Sequence, residues 1–444
     1  MDRPSNSTGS TGLRRIALFV ALCALAAAFL PSLTKNRPGE LAVFLKAAAR
    51  MARGEEIYVP PEGKAFTYPP LFAVPFVPLG ALGEHAARSV WYFVNLLLAG
   101  LSVSLIAKQV RPLVAEHRDR APAWVLVLLV AALGGRFLMS PIEYQSHDLV
   151  VFVLVLLSVA TWDSRRRWVS GFWSGTAAAL KATPLLLLPL FLWERRLAAA
   201  CSFALAAALG SLLPDLLFPR ADGGLWVVSW YENFVSRVEP GVAADAQGAW
   251  ISWNILNQSL PGTLHRLFTG LPPGSESVER FDVCLVELGP GTLRTVTLVL
   301  EACILAALAL VWRPGRVRGM PEAERRFSRL GMGAMALCAM LLLSPMSSKA
   351  HFCALLAPVA VLSVAFLYIE RDAVTLGALA TLFVLGPLSA KDIIGRPVAN
   401  TILAYGGLTL ATLICFAATA RVVVRLQPVS SRGSPHRYPG EEKA

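Results

Sequence analysis

Apolar runs of about 17–25 residues, the length that crosses a hydrocarbon core about 30 Å thick, recur along the chain from Ile16 to about Val422. They fall at 16–33, 88–109, 123–139, 148–162, 196–218, 293–312, 330–345, 352–369, 373–390 and 400–422. The run 170–193 is different: Lys181-Ala-Thr-Pro184 breaks its middle, and proline removes a backbone donor and clashes with the preceding turn. It predicts two short or tilted helices meeting at 181–184. The expected fold class is therefore an all-α polytopic membrane protein of about twelve crossings. The first run has no small-residue cleavage site and is followed by further runs, so it reads as an anchor rather than a removed signal peptide.

Between the runs lie two segments with a different pattern. In 39–53, Leu41, Phe44, Leu45 and Ala48 fall on one helical face and Lys46, Arg50 and Arg53 on the other, as in a helix lying in the membrane interface. Phe66-Thr-Tyr-Pro-Pro-Leu-Phe72 then leads into an apolar stretch too short and proline-rich to span. It reads as a re-entrant piece lining a pocket or as a loop packed on the bundle.

Composition agrees with the pattern. The 444 residues are 55% hydrophobic and 16% charged, which excludes an ordinary soluble enzyme. A net charge of +12 would suggest nucleic acid in a soluble protein; here membrane orientation accounts for it. More than half of the 41 Lys and Arg residues fall in the short segments 1–15, 108–120, 163–167, 194–196, 313–329, 370–372 and from 421 onward. By the positive-inside tendency these face the cytoplasm, with both termini: a tail at 1–15, a membrane domain over 16–422 and a basic tail at 423–444. The seven cysteines are scattered singly and predict neither a disulfide framework nor a CxxC metal site.

The opposite face then receives the residues that look like chemistry: loop 34–87, the turn Tyr144-Gln-Ser-His-Asp148, the break at Lys181, loop 219–292, the turn Ser344-Pro-Met-Ser-Ser-Lys-Ala-His351, and loop 391–399. A lone cation near a bilayer centre costs roughly 2.5–3.5 kcal/mol on insertion scales, so Lys181 needs a partner. Glu40, in the first turn of its helix, suits the helix dipole and could equally be a catalytic base. Trp250-Ile-Ser-Trp-Asn-Ile-Leu-Asn-Gln-Ser259 with Arg266 mixes aromatics and amides as a sugar site does, and as membrane interfaces do. His147, Asp148, Lys349 and His351 could contact a phosphate or shuttle protons, or simply serve as polar helix ends. A site on the outer face implies a substrate delivered there already activated. No GxGxxG, Walker loop, HExxH or supported Ser-His-Asp arrangement appears.

Over about residues 10–425 the chain resembles glycosyltransferase family 87, the polyprenol-phosphate-mannose-dependent mannosyltransferases of the GT-C superfamily. The landmarks run in order: Glu40 heading its helix, Gly54-Glu-Glu-Ile-Tyr58, the segment 66–72 with Tyr68, Gln145 in its short turn, Gly171 to Pro184, Asn257-Gln-Ser-Leu260 with Arg266, and Ser344 to His351. Two positions depart from the family pattern: Glu40 stands where aspartate is usual, and Tyr144-Gln-Ser-His147 where Gly-Gln-x-Asn is usual.

The resemblance implies a GT-C-like bundle in a bacterial cell membrane that transfers a hexose, mannose foremost, from a polyprenyl-phosphate donor to an acceptor hydroxyl of a glycolipid, polysaccharide or other molecule. No cofactor and no metal are implied. A lipid phosphate leaves as a stabilised anion, so one carboxylate base is enough where a glycosidase needs two carboxyls. The implied roles are Glu40 as base, Lys181, Arg266 and His351 on the donor phosphate, and Tyr68, Gln145, His147, Asn257, Gln258 and Lys349 on the substrates. A single displacement inverts the anomeric centre. A transporter or lipid flippase, or a degenerate relative acting as an envelope scaffold, are the alternatives.

Overall fold

The structure, a computed structural model, describes residues 39–59, 65–242 and 252–426. The expected first span 16–33, the tail 1–15, Trp250 and all but the start of the tail 423–444 lie outside the described residues. The principal helices are α1 (Glu40–Ala52), α2 (Glu84–Glu116), α3 (Ala123–Glu143), α4 (Asp148–Ala160), α5 (Val169–Leu180), α6 (Leu197–Leu217), α7 (Leu260–Phe268), α8 (Pro290–Val311), α9 (Glu322–Leu343), α10 (Lys349–Ile369), α11 (Ala373–Leu388) and α12 (Gly407–Arg425). Among the described residues there is no strand, only one isolated bridge between Ser277 and Arg280.

Seven helices, α2, α3, α6, α8, α9, α10 and α12, are long and apolar enough to cross a membrane, and four apolar segments are shorter: Pro70–Gly80, α4, Thr183–Trp193 and α11. The apolar surface has the distribution a bilayer requires. Helices α9 and α10 are buried along nearly their whole length. The outer helices α3, α6 and α8 instead expose Leu128, Leu205, Leu209, Leu216 and Leu310, a surface that water would not tolerate and lipid does. The protein is a multi-pass membrane protein.

The expected breaks have clear local causes. Helix α5 stops at Leu180; Lys181 is extended, with φ −155° and ψ 130°, and the chain resumes as Thr183–Trp193. The run 400–422 is not one span: Arg396–Ala404 ends before Gly406, whose φ of 76° turns the chain into α12, and α12 continues to Arg425, past the expected boundary. Helix α9 starts at Glu322 rather than at 330.

Helices α5 and α6 pack backbone to backbone. A Cβ at Gly171 would lie 1.9 Å from the Ala199 carbonyl oxygen, and one at Gly175 would lie 2.3 Å from that of Phe203. This small-xxx-small contact fixes where α5 ends and therefore where Lys181 stands.

Helix α4, about 20 Å long at 1.5 Å per residue, joins two ion clusters, one partly exposed and one buried. Beyond its C-terminal end, Arg329 reaches Asp163 at 3.0 Å and Glu194 at 2.5 Å, and Arg196 reaches Glu194 at 2.8 Å and Asp163 at 2.5 Å. The Trp162 indole adds a bond to Glu194 at 3.0 Å. The basic segments 163–167, 194–196 and 313–329 thus meet at one end, although Arg329, expected in a loop, is buried inside α9, where two carboxylates offset its charge.

Candidate active site

The other cluster forms where three elements meet at the N-terminal end of α4. Helix α1 carries Glu40 in its first turn, and the Glu40 N–H donates to the Tyr144 carbonyl at 3.0 Å. The approach is close enough that a Cβ at Gly39 would lie 2.9 Å from the Gln145 side-chain oxygen. Gln145 itself takes φ 54°, a left-handed conformation that a non-glycine residue seldom holds. Its carbonyl accepts the Trp91 indole N–H at 3.0 Å. This turn delivers His147 and Asp148 to the start of α4, facing Glu40. Donor atoms of Glu40, His147 and Asp148 all lie within 4.8 Å of one another, and all three residues are buried.

The expected interfacial helix has the predicted stripe, but the stripe packs on protein. Phe44 lies edge-on to Phe72 with ring centroids 4.8 Å apart, and His147 sits among Tyr68 at 4.2 Å, Phe72 at 4.5 Å and Phe44 at 5.7 Å. Segment 66–80 is a buried aromatic block, too short to cross. Burial first, then the Glu40 and Asp148 charges, hold the Tyr68 phenol well above its ordinary value, so it remains a protonated hydroxyl.

Lys181 has a protein partner. Its Nζ donates to Asp148 Oδ1 at 2.7 Å, with both side chains largely buried. Beside the donor-phosphate role expected for Lys181 stands this carboxylate: Asp148, 33 positions away in the chain, is brought to it by the packing of α4 against α5. Ser146 donates to the other Asp148 oxygen. His351 Nδ1 accepts the Ser348 backbone N–H at 3.1 Å, a capping contact at the start of α10, which assigns the ring proton to Nε2. That nitrogen lies 3.6 Å from Asp148 Oδ1, within electrostatic range but beyond a hydrogen bond. Asp148, Lys181, Thr183, Ser344, Ser347 and His351 line a cleft of about 40 Å³.

The amide and arginine landmarks of the 252–268 region behave differently. Arg266 is fully buried, and its guanidinium donates to the carbonyls of Asn257 (2.6 Å), Ser252 (3.0 Å) and Ala404 (3.2 Å). Burial brings its pKa down to about 10, which leaves it charged at neutral pH. Gln258 donates to the carbonyls of Ile255 and Leu403, its N–H donates to Ser347, and its side-chain oxygen accepts from Leu408 N–H. Asn257 accepts from Ser347 N–H at 3.2 Å. Asn257 and Gln258 hold the turn 344–351 through Ser347, and Arg266 braces the 252–257 segment and Ala404 behind them. Lys349 faces a second cavity, described below.

The structure thus joins Glu40, Tyr68, Gln145, His147, Lys181 and His351 at one site, and holds Arg266, Asn257 and Gln258 behind it. Asp148, absent from the assigned roles, is the residue that organises the cluster; its signal was a carboxylate at the first turn of a helix on the same face as Lys181. The donor set of two carboxylates and an imidazole is of a type that metal ions use, while the Lys181 ammonium beside Asp148 opposes a second cation there.

A sequence profile described as Glycosyltransferase family 87 matches residues 66–345. The chain belongs to glycosyltransferase family 87. Three curated relatives share parts of this family-87 chain. The polyprenol-phosphate-mannose-dependent alpha-(1-2)-phosphatidylinositol pentamannoside mannosyltransferase of Mycolicibacterium smegmatis is 33% identical over 142 residues, 31% of this chain and 32% of that protein. The polyprenol-phosphate-mannose-dependent alpha-(1-2)-phosphatidylinositol mannoside mannosyltransferase of Mycobacterium tuberculosis is 32% identical over 159 residues, 33% of this chain and 37% of its own length. A protein of that same description from Mycolicibacterium smegmatis is 26% identical over 215 residues, 47% of this chain and 46% of its own length. The chain spans less than half of each relative it matches. No solved structure matches it.

Proposed function

We propose that the protein transfers mannose from a polyprenyl-phosphate donor to a hydroxyl of a glycolipid acceptor, on the extracytoplasmic face, by a single inverting displacement. Family membership and the relatives' activities support the reaction class. The observation that carries the site is that Glu40 comes within 4.8 Å of Asp148, which itself pairs with Lys181, although the three lie far apart in the chain.

In this reading Glu40 takes the proton of the acceptor hydroxyl as the new glycosidic bond forms and the bond from the anomeric carbon to phosphate oxygen breaks. The negative charge leaves on the lipid phosphate, next to Lys181 and the Nε2–H of His351. Asp148 is a positioning residue that holds Lys181 directly and faces the His351 edge. Glutamate in place of aspartate carries its carboxylate one methylene farther. The close approach at Gly39 sets the helix start against the Tyr144 carbonyl, so that this longer side chain still reaches His147 and Asp148. A cleft of about 40 Å³ is far below the roughly 300–1,000 Å³ of ordinary ligand pockets, so donor entry requires its walls to move apart.

The test is incubation of the purified protein in lipid with a panel of polyprenyl-phosphate sugars and glycolipid acceptors, with mass spectrometry of the products. An α-linked mannosyl product supports the reading. Movement of intact donor across vesicles without sugar transfer points to a flippase, and no turnover with any donor points to a scaffold; either result overturns the proposal.

A further inference from the structure

Arg136 raises in the structure the question that Lys181 raised in the sequence. It lies inside α3, a helix apolar along the rest of its length up to Glu143, and an ionisable residue in such a segment is costly without a partner. Lys181 has Asp148; Arg136 makes no hydrogen bond or ion pair with any described residue. It lines a cavity of about 150 Å³ together with Lys349, at the start of α10, and Lys391, in the short helix Lys391–Ile394. Neither lysine side chain has a hydrogen bond or ion pair among the described residues. Three elements far apart in sequence therefore bring three such cations to one cavity, with two carboxylates, Glu143 and Asp392, in its wall. The lining residues leave one surplus positive charge, with Glu279 acting on Lys349 from outside the wall, and the like charges disfavour one another unless an anion joins them.

The cavity backs onto the site already described. Tyr144 is part of its wall, and the Tyr144 carbonyl holds the Glu40 N–H. Lys349 opens the same helix whose His351 faces Asp148. Yet Glu40, Asp148 and Lys181 are not among the lining residues. A phosphate bound here is separated by the Tyr144–Ser146 turn from the bond that breaks, so it suits a group on the acceptor better than the leaving phosphate of the donor.

We propose that Arg136, Lys349 and Lys391 form an anion subsite for the phosphate of an anionic glycolipid acceptor, whose sugar then reaches past Tyr144 toward Glu40. The word acceptor rests on the transferase reading; the anion subsite does not. Charge-assisted contacts from a planar guanidinium and two ammonium groups match a phosphodiester.

The experiment compares wild type with Arg136→Gln and Lys391→Gln, the latter an exposed position that guards against misfolding. Steady-state rates with a phosphate-bearing glycolipid acceptor should show its KM raised about tenfold or more, the loss of one charge-assisted contact. The donor KM, the kcat and the KM for a phosphate-free analogue of the acceptor should stay within about twofold. A raised donor KM, or no change in any constant, overturns the assignment. Native mass spectrometry of retained phosphatidylglycerol against a neutral diacyl glycolipid reads the subsite without turnover. Selective retention lost in both variants supports it even if no transferable sugar is found, an outcome that sinks the transferase reading alone. Equal retention in wild type and variants sinks the subsite. Inorganic phosphate that competes as well as the lipid overturns the lipid assignment.

Discussion

The two ends of α4 carry two ion clusters, one partly exposed and one buried, and they are built on different plans. Around Asp163 the charges balance, two arginines against two carboxylates, and the guanidinium forks of Arg196 and Arg329 are spread over both acids and the Trp162 region. Around Asp148 one ammonium stands with two carboxylates and two imidazoles, beside a cleft and a left-handed Gln145. Balanced forks make a clamp. A cluster of two carboxylates and two imidazoles around a single ammonium, held at a left-handed turn, is of the kind at which a proton can change place.

The sharpest way to break this contrast is Glu40→Gln, which keeps the shape and removes the proposed base. Transfer should fall by about 10²–10⁴-fold, with thermal stability close to wild type; unchanged turnover removes Glu40 from the mechanism, and Glu40→Asp should keep measurable activity. At the opposite end Arg329→Ala should do the reverse. It leaves Asp163 and Glu194 without their main cation and should cost about 3–5 kcal/mol of stability, read as a lowered unfolding midpoint in detergent. Normal melting would mean that the clamp is not structural.

The Asp148–Lys181 pair lies between these extremes. Lys181→Met and Asp148→Asn alone should each lower stability, because each leaves a buried group without its partner. The double variant should regain most of the stability while staying inactive; activity restored along with folding would make the pair a structural element only.

The smallest effect belongs to Glu56, which ties the 54–58 turn to the segment after α6 through Arg220 at 2.9 Å and Ser229 at 2.6 Å. Burial raises its pKa, but the bonds from Ser229, the Tyr58 N–H and Arg220 outweigh it and leave the value below the ordinary 4.5. A depressed carboxyl stabilises the fold above its unfolded pKa and loses that contribution as pH falls through the folded value. Glu56→Gln should therefore flatten the acid side of the stability profile below about pH 4.5, by about 1 kcal/mol or less for a partly exposed group. An unchanged acid limb would show that the tie is idle.

Much of the architecture was legible because span length and proline position are local properties. The break at Lys181, the stripe on α1 and the short aromatic block at 66–80 all emerged where the pattern put them. Less legible were residues whose meaning depends on a partner. Arg266 read as a phosphate contact and Gln258 as a substrate contact; their bonds to backbone carbonyls could not be foreseen, because a polar residue has the same sequence signature whether it meets a ligand or a carbonyl. Arg329 read as loop because its offsetting acids, Asp163 and Glu194, are 166 and 135 positions away. Arg136 was overlooked inside an apolar run for the same reason.

What the chain alone determined is which stretches are apolar enough to lie in a membrane and where proline breaks one of them. Transfer of each residue between water and hydrocarbon is additive along the sequence, so it can be summed without knowing the fold. Which cation meets which carboxylate was decided only by tertiary packing. The Gly171 and Gly175 contact with α6, the Gly39 approach to the Tyr144 turn and the Asn257 hold on Ser347 set positions to a few tenths of an ångström, and the energy of an ion pair or a proton transfer depends on distance at that scale.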